Sequence, residues 1–427
     1  MHRRAFFTGA AALGALPLFS FETKGATRSS GLEITDIEIW RVEGNQERMR
    51  ESTNRQYQVQ PLHVYPENRP DVYRENRSPS AETAVSPTSR MYIKILTSEG
   101  VEGFYGPIDQ NAVDVVLGEL RRFVIGMDPL AIETIWDKMY RRQRHSRGGY
   151  YMIGMSAVDN CLWDLRGKFF DVPVYKLLGG SRNMVEVYGS CLGFSAELDI
   201  VGERSARLKK EGYVHQKWFQ AYGPSSGGWG FEQNVGMVRT LRETLGEDSE
   251  IMFDAYMGWD LTYAMKWVKA VEQYHPRFLE EAVLPAKVES FARLRQMTHI
   301  PIATGETFYG RWEVNDFIQA GAIDVIQADP EWCGGVSELV KICILASTHD
   351  LVVIPHAHKL RAAIHVVASQ PPTTCPMMEY LILNLPNFYY LERNPLVPNN
   401  GVIELPDLPG FGIELDESKI ESMEKIS

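Results

Sequence analysis

The chain has 427 residues, 44% of them hydrophobic and 23% charged, with a formal net charge of −11. That is ordinary globular composition, and the length allows two or three domains or a large barrel with an addition. The acidic balance argues against a nucleic-acid partner, which needs a basic face.

Residues 1–30 read as an export signal. Arg3 and Arg4 precede an apolar run from Ala5 to Phe21, too short and glycine-rich to span a membrane. The paired arginines followed by Ala5, Phe6 and Phe7 resemble a twin-arginine signal, which predicts a periplasmic or otherwise exported bacterial protein. Five scattered cysteines, with no CxxC pair, are expected to be buried small hydrophobes rather than a disulfide framework.

Residues 31–43 alternate apolar and polar and predict a strand. Residues 44–90, rich in Pro, Asn, Arg and Tyr, predict a long loop. "RMYIKILTSEGVEGFYG" (90–106) predicts a hairpin turning at Glu99-Gly100, and helical patterns cover about 109–145 and 152–169. Residues 31–155 therefore form an α+β domain.

Residues 156–394 are assigned to a second domain, and from about residue 184 the texture changes. Eight short apolar runs, at 184–190, 215–219, 250–256, 277–282, 301–306, 325–329, 351–358 and 377–380, alternate with amphipathic stretches. Eight such repeats predict a parallel β/α barrel. Residues 395–427, rich in Pro, Gly and Asn, are expected to pack back on the first domain. "GGWG" (227–230) and Gly334-Gly335 read as turn glycines, not phosphate loops.

One polar group marks nearly every repeat. Asp254, Glu280, Glu306, Asp329, His356 and Glu379 follow one another at steps of 26, 26, 23, 27 and 23 residues. Each lies near the C-terminal end of its run, and in a barrel those ends converge on one mouth. Three carboxylates there cannot all stay ionised without a cation, and an all-oxygen site suits Mg²⁺. Each acid alone could instead cap a helix or pair with an arginine. Asp329, one repeat before His356, can hold the imidazole's tautomer, which makes His356 a candidate general base. His358 and His365 compete with it; His358 lies further out and reads as a substrate contact. Lys217 ends the second run and could meet a substrate carboxylate, balance the acids or act as a second base. Glu379 could accept a hydrogen bond from an enol or a hydroxyl.

"MIGMSAVDNCLWDLRGKFFDVPVYKLLGG" (152–180), followed by "FDAYMGW", "FLEEA", "ATGE", "IQADPEWCGG" and "IPHAH", resembles the mandelate racemase and muconate lactonizing branch of the enolase superfamily. The resemblance covers about residues 31–415. It implies an α+β capping domain over a modified (β/α)7β TIM-like barrel. It implies Mg²⁺ held by Asp254, Glu280 and Glu306, with Glu280 chosen over Glu281 because the first of two adjoining acids is the family's ligand. It implies a His356–Asp329 dyad that abstracts a proton beside a carboxylate and leaves an enediolate. It implies a homo-oligomer too.

"KWFQAYGP" and "PEWCGG" look most like rhamnonate dehydratase-like acid-sugar dehydratases. Phe219 stands where racemases of the family often carry a second lysine base, so a single base favours dehydration of an aldonate-type sugar acid to a 2-keto-3-deoxy acid. Catalysis is assigned to His356, Asp329, Glu379 and Lys217. His63, Arg55, Arg69, Tyr222 and His358 are the expected substrate contacts. Two alternatives stand beside this: an epimerase or cycloisomerase using Lys217 or Tyr222 on the other face, and a non-catalytic periplasmic sugar-acid-binding protein.

Overall fold

A computed structural model describes residues 31–48, 58–68 and 84–426. The expected export signal, Arg55 and Arg69 lie outside the described residues. Among the described residues no helix is long and apolar enough to cross a membrane.

The first domain is a four-stranded antiparallel sheet with helices on it. Its strands are β1 (Ile34–Arg48), β2 (Ala84–Thr97), β3 (Gly103–Ile108) and, from the far end of the chain, β13 (Ser422–Lys425), in the order β13-β1-β2-β3. β13 pairs with β1 from Trp40↔Lys425 to Glu43↔Ser422, which ties the C-terminal segment to this sheet. The loop expected over 44–90 is shorter than its composition suggests. β1 and β2 run on as a paired ladder to Arg48↔Ala84. Asn45, Gln46, Ser86 and Pro87 carry no apolar alternation; the extension is held by its ladder and by polar contacts to the C-terminal part of the chain, where Gln46 Nε2 donates to Asn387 Oδ1 at 2.7 Å and Tyr390 OH to Asn45 O at 2.9 Å.

The helix Tyr150–Phe170 is buried along most of its length. It lies between the cap sheet and the barrel, which is why its sequence shows no single apolar stripe.

The barrel strands are β4 (Met184–Ser190), β5 (Gln216–Phe219), β6 (Ile251–Asp254), β7 (Phe278–Glu280), β8 (Ile302–Thr304), β9 (Val325–Ile326), β10 (Val352–Val353) and β11 (Met378–Leu381). All eight predicted runs are strands. They are parallel, in the order β10-β9-β8-β7-β6-β5-β4-β11. At the seam between the first and last of these, Val353 N donates to Thr374 O at 2.8 Å. β12 (Val402–Glu404) adds antiparallel to β4. The C-terminal segment therefore leans on the barrel as well as on the cap, a wider contact than the sequence suggested. The "GGWG" stretch differs from its predicted turn: Gly227 opens the helix Gly227–Leu245.

The barrel interior is layered by the two-residue period of a strand. Tyr188, Met252, Phe278, Ala303, Val325, Ile354 and Met377 form one closed apolar plug. Two residues further along most of these strands stand Ser190, Asp254, Glu280, Gln327, His356 and Glu379. The same geometry that fills the barrel with hydrocarbon lifts a ring of polar side chains to its C-terminal mouth.

The segment 58–68 is seated at the rim of that mouth. Val59 N donates to Gln220 O at 2.8 Å, just past β5. A Cβ on Gly258, just past β6, would stand 2.6 Å from Val59 Cγ2. Gly258→Ala is therefore expected to destabilise by about 1–3 kcal/mol through overpacking. It should also raise proteolytic cutting within 58–68; unchanged melting and cleavage would contradict this seating.

Candidate active site

Asp254 and Glu280 close β6 and β7 as ladder partners. Between them stands Lys217 from β5, 1% exposed. Its Nζ donates to both Glu280 oxygens at 2.8 and 2.7 Å. It lies 2.8 Å from Glu379 Oε1 and 3.6 Å from Asp254 Oδ2. Burial works against the ammonium, but Glu280 and Glu379 outweigh it and hold the lysine well above its usual range. A lysine so held is a charge-balancing group, not a second base.

His356 lies across the mouth. Its Nδ1 is 2.8 Å from Asp329 Oδ2 and its Nε2 is 3.6 Å from Glu306 Oε2. Asp329 is fully buried and is itself fixed: Oδ1 accepts from Glu331 N at 2.7 Å and Oδ2 from His358 N at 3.0 Å. This network places the proton on Nδ1 and turns Nε2 toward the acids. Burial pulls the imidazole's pKa down, but Glu306 and Asp329 outweigh it and raise it to about 10, so beside uncompensated acids the ring is an imidazolium; a cation that neutralised Glu306 would lower it and free Nε2 as a base. Glu379 Oε2 accepts from Ala357 N at 3.0 Å, beside the same histidine. Burial alone would raise Glu379, yet Lys217 and His356 bring it down to about 2.

Six buried carboxylates thus face one ammonium and one imidazole: Asp254, Glu280, Glu281, Glu306, Asp329 and Glu379. Glu281 carries the clearest sign of a missing positive charge. It is 1% exposed, and neither carboxylate oxygen has a hydrogen-bond partner. Its φ of +44° breaks the strand alternation that would have sent it outward. Burial, Glu306 and Asp254 all push its pKa well up. Burial lifts Asp254 to about 6 and Glu280 to about 8 against the pull of Lys217. This excess of hard oxygen donors fits a hard dication of the Mg²⁺ type. No ready-formed cluster of metal-ligating groups exists among the described residues, and Lys217 holds both Glu280 oxygens.

The raised carboxyls fix the sign of a pH effect. Their pKa values stand above those of the unfolded chain, so the metal-free fold takes up protons and loses stability as pH rises through about 6 to 8. A dication must displace those protons. Mg²⁺ affinity, read by calorimetry at pH 5.5, 7 and 8.5, is expected to rise with pH and to release protons. An affinity that does not change would contradict the site.

The other predicted residues are placed as follows. His358 Nε2 is 2.8 Å from Asp109 Oδ1. Its side chain is therefore held by the cap rather than free at the mouth. His365 is buried away from the acids, with Nδ1 accepting from Tyr175 N at 3.2 Å. Tyr222 sits past β5, its ring edge-on to Trp229 at 5.0 Å and its backbone N–H donating to Asn234 Oδ1 at 3.2 Å. His63 is nearly buried within the segment 58–68, where its Nδ1 accepts from Gln60 N at 3.2 Å. All five cysteines are free and buried.

Sequence reading missed Ser190, Gln327 and Asp109. The first two stand in the inward polar layer, Gln327 beside Glu280 and Ser190 beside Glu379. A count of two residues on from each inward apolar position would have found them.

Two family models match the chain: "Enolase C-terminal domain-like" over residues 201–419, and "Mandelate racemase / muconate lactonizing enzyme, N-terminal domain" over residues 71–179. A D-galactonate dehydratase of Ralstonia pickettii is 31% identical, over 78% of this chain and 91% of that protein. A D-galactarolactone cycloisomerase of Agrobacterium fabrum is 30% identical, over 80% and 93%. The crystal structure of rhamnonate dehydratase from Gibberella zeae complexed with Mg superposes with a TM-score of 0.74 at 27% identity, covering 91% of this chain and 96% of that one. The chain belongs to the enolase superfamily, in its mandelate racemase/muconate lactonizing enzyme branch. It is an enzyme of a superfamily in which Mg²⁺ is typical.

Proposed function

We propose that the chain is a Mg²⁺-dependent hydro-lyase that dehydrates an aldonate-type sugar acid to its 2-keto-3-deoxy acid. The observation that carries the reading is His356. It is a single imidazole, oriented by Asp329 and aimed across 3.6 Å at Glu306, in a site whose lysine is locked among carboxylates. Asp254, Glu280 and Glu306, with Glu281 beside them, are the residues that would hold the cation. When bound, it acts as a Lewis acid that stabilises negative charge developing on a substrate carboxylate.

The chain's own residues supply the rest. His356 Nε2 takes the α-proton, and Asp329 stabilises the imidazolium that forms. The C–H electron pair passes into the substrate carboxylate as an enediolate. The same imidazolium then returns its proton to the departing β-hydroxyl; the C–O bond breaks, water leaves and the enol becomes a 2-keto acid. Glu379, fixed by Ala357 N and Lys217, holds a fixed negative charge beside His356. The segment 58–68, which carries His63, is seated by Val59 beside the ends of β5 and β6, where it would border a bound substrate. Capping-loop arginines Arg55 and Arg69 are assigned to substrate from the sequence alone.

The test is a panel of mono- and diacid sugars, D-galactonate and L-rhamnonate included, incubated with Mg²⁺ and then with EDTA and read for 2-keto acid. A metal-dependent product supports dehydration. The cycloisomerase relative supplies a second reading that shares the first proton transfer. Exchange of the α-proton in D₂O with no loss of water would favour it. Binding without exchange or turnover across the panel would return the weight to a silent binding protein.

A further inference from the structure

The cap does more than roof the site. β3 ends at Ile108, and the next residue, Asp109, meets two barrel loops at once. Trp332 Nε1 donates to Asp109 Oδ2 at 2.9 Å. His358 Nε2 lies 2.8 Å from Asp109 Oδ1, and the buried Lys359 ammonium pairs with that same oxygen. The Trp332 indole in turn lies between two imidazoles. Its centroid is 5.1 Å from that of His356 at an interplanar angle of 30°, and 4.9 Å from that of His358 at 37°.

The cap grips the rest of this loop as well. From the helix Tyr150–Phe170, Asn160 Nδ2 donates to Pro330 O and Ser156 Oγ accepts from Gly334 N. Asp159 accepts from the backbone and hydroxyl of Ser337. The loop that carries Asp329 and Trp332 is thus a barrel loop held by cap side chains on both flanks.

One hydrogen bond fixes a point, not a plane. The Asp329 contact anchors His356 Nδ1 but leaves the ring free to swing about that anchor. A stacked partner removes this freedom. Trp332 can do so only if its own ring is fixed, and its N–H is fixed from the cap.

We propose that Asp109 is a positioning residue supplied by the capping domain: it holds the Trp332 indole and the His358 ring so that His356 lies against a fixed plane with Nε2 aimed into the site. Seating of the cap then sets the aim of the base. The proposal rests on His356 being that base, and it is independent of which aldonate is used.

The test is ring ¹⁵N–¹H spectroscopy of ¹⁵N-histidine-labelled full-length protein, in which the His356 signals are identified by their absence from His356→Asn. Asp109→Ala and Trp332→Phe are each expected to move the His356 ring signals and to speed exchange of its ring N–H, with His275 and His299 unchanged. Because Asp109 acts through Trp332, the double variant is expected to go no further than the larger single one. Turnover of the aldonate found in the panel should fall with the aim of the base, by about 10–10²-fold, with Mn²⁺ binding retained. Where Asp109→Ala proves too unstable, Trp332→Phe alone decides. His356 signals that stay at their wild-type positions in the folded variants would overturn the proposal, as would effects that simply add. His356→Asn protein that still exchanges the α-proton would overturn the base assignment itself, a separate failure.

Discussion

His356→Asn is expected to lose turnover by about 10²–10⁴-fold while still binding Mg²⁺, as general acid–base groups of this kind do. Asparagine keeps much of the volume and can still donate to Asp329, which now sits 2.8 Å from Nδ1. What it lacks is a nitrogen lone pair where Nε2 stands. The 3.6 Å from Nε2 to Glu306 means the variant removes a cationic neighbour from an acid cluster, so Mg²⁺ affinity should hold or rise slightly. The measurement is paired: calorimetry for the metal, and both 2-keto acid production and α-proton exchange for the chemistry. Loss of both chemical readouts with the metal retained fits one residue that takes the proton and returns it. Exchange lost but dehydration kept is impossible on this mechanism and would end it. Full activity would move the base elsewhere, and Lys217 could not take over while its Nζ is engaged by Glu280 and Glu379.

The barrel was legible because its strands are buried on both faces. Each reads as a short apolar run, and each run carries its polar residue at the end that becomes the mouth. Asp254, Glu280, His356 and Glu379 were found by that regularity. The path of the chain between those ends was not. Asp109 meets Trp332 and His358 across 223 and 249 residues, and no local pattern in the cap announces it. Lys217 was ambiguous for a similar reason. Three roles fitted one lysine at a strand end, and only its contacts with Glu280 and Glu379 separate charge balance from catalysis as a base. Period sets Glu280 inward and Glu281 outward, yet both are buried at the site. A φ of +44° at Glu281 cancels that alternation, and a backbone angle of that kind leaves no mark in a Glu-Glu pair. The extension of β1 and β2 through Asn45, Gln46, Ser86 and Pro87 was hidden because its polar residues are held by the ladder and by partners more than 300 residues away, such as Asn387 for Gln46.

Lys217→Met carries the second large effect, and its sign depends on pH and metal together. The ammonium is 1% exposed and lies within 2.8 Å of Glu280 and Glu379. Removing one partner of a buried ion pair leaves the other's charge uncompensated, at a cost of about 3–5 kcal/mol. Here the orphaned groups can escape by taking up protons. Burial already lifts Glu280 to about 8 with the lysine present, and without it that carboxyl rises further. The folded variant then holds protons that the unfolded chain has released. Its stability is therefore expected to be closest to wild type near pH 5 and to fall away as pH rises toward 8, more steeply than in the parent. Excess Mg²⁺ should reverse much of that loss at pH 8, since a dication neutralises the same carboxylates. Activity should not follow. Without Lys217 the Glu379 carboxylate beside His356 loses the ammonium that fixes it, so we propose that Lys217 also serves turnover, which is expected to stay down by about 10²–10³-fold at saturating Mg²⁺. Thermal melts at pH 5, 6.5 and 8, with and without Mg²⁺, are to be set beside turnover of the same samples. Stability and turnover recovering together would make Lys217 a structural counter-ion and nothing more. Stability returning without turnover assigns it both tasks: it balances the buried acids, and it holds Glu379 in place beside His356.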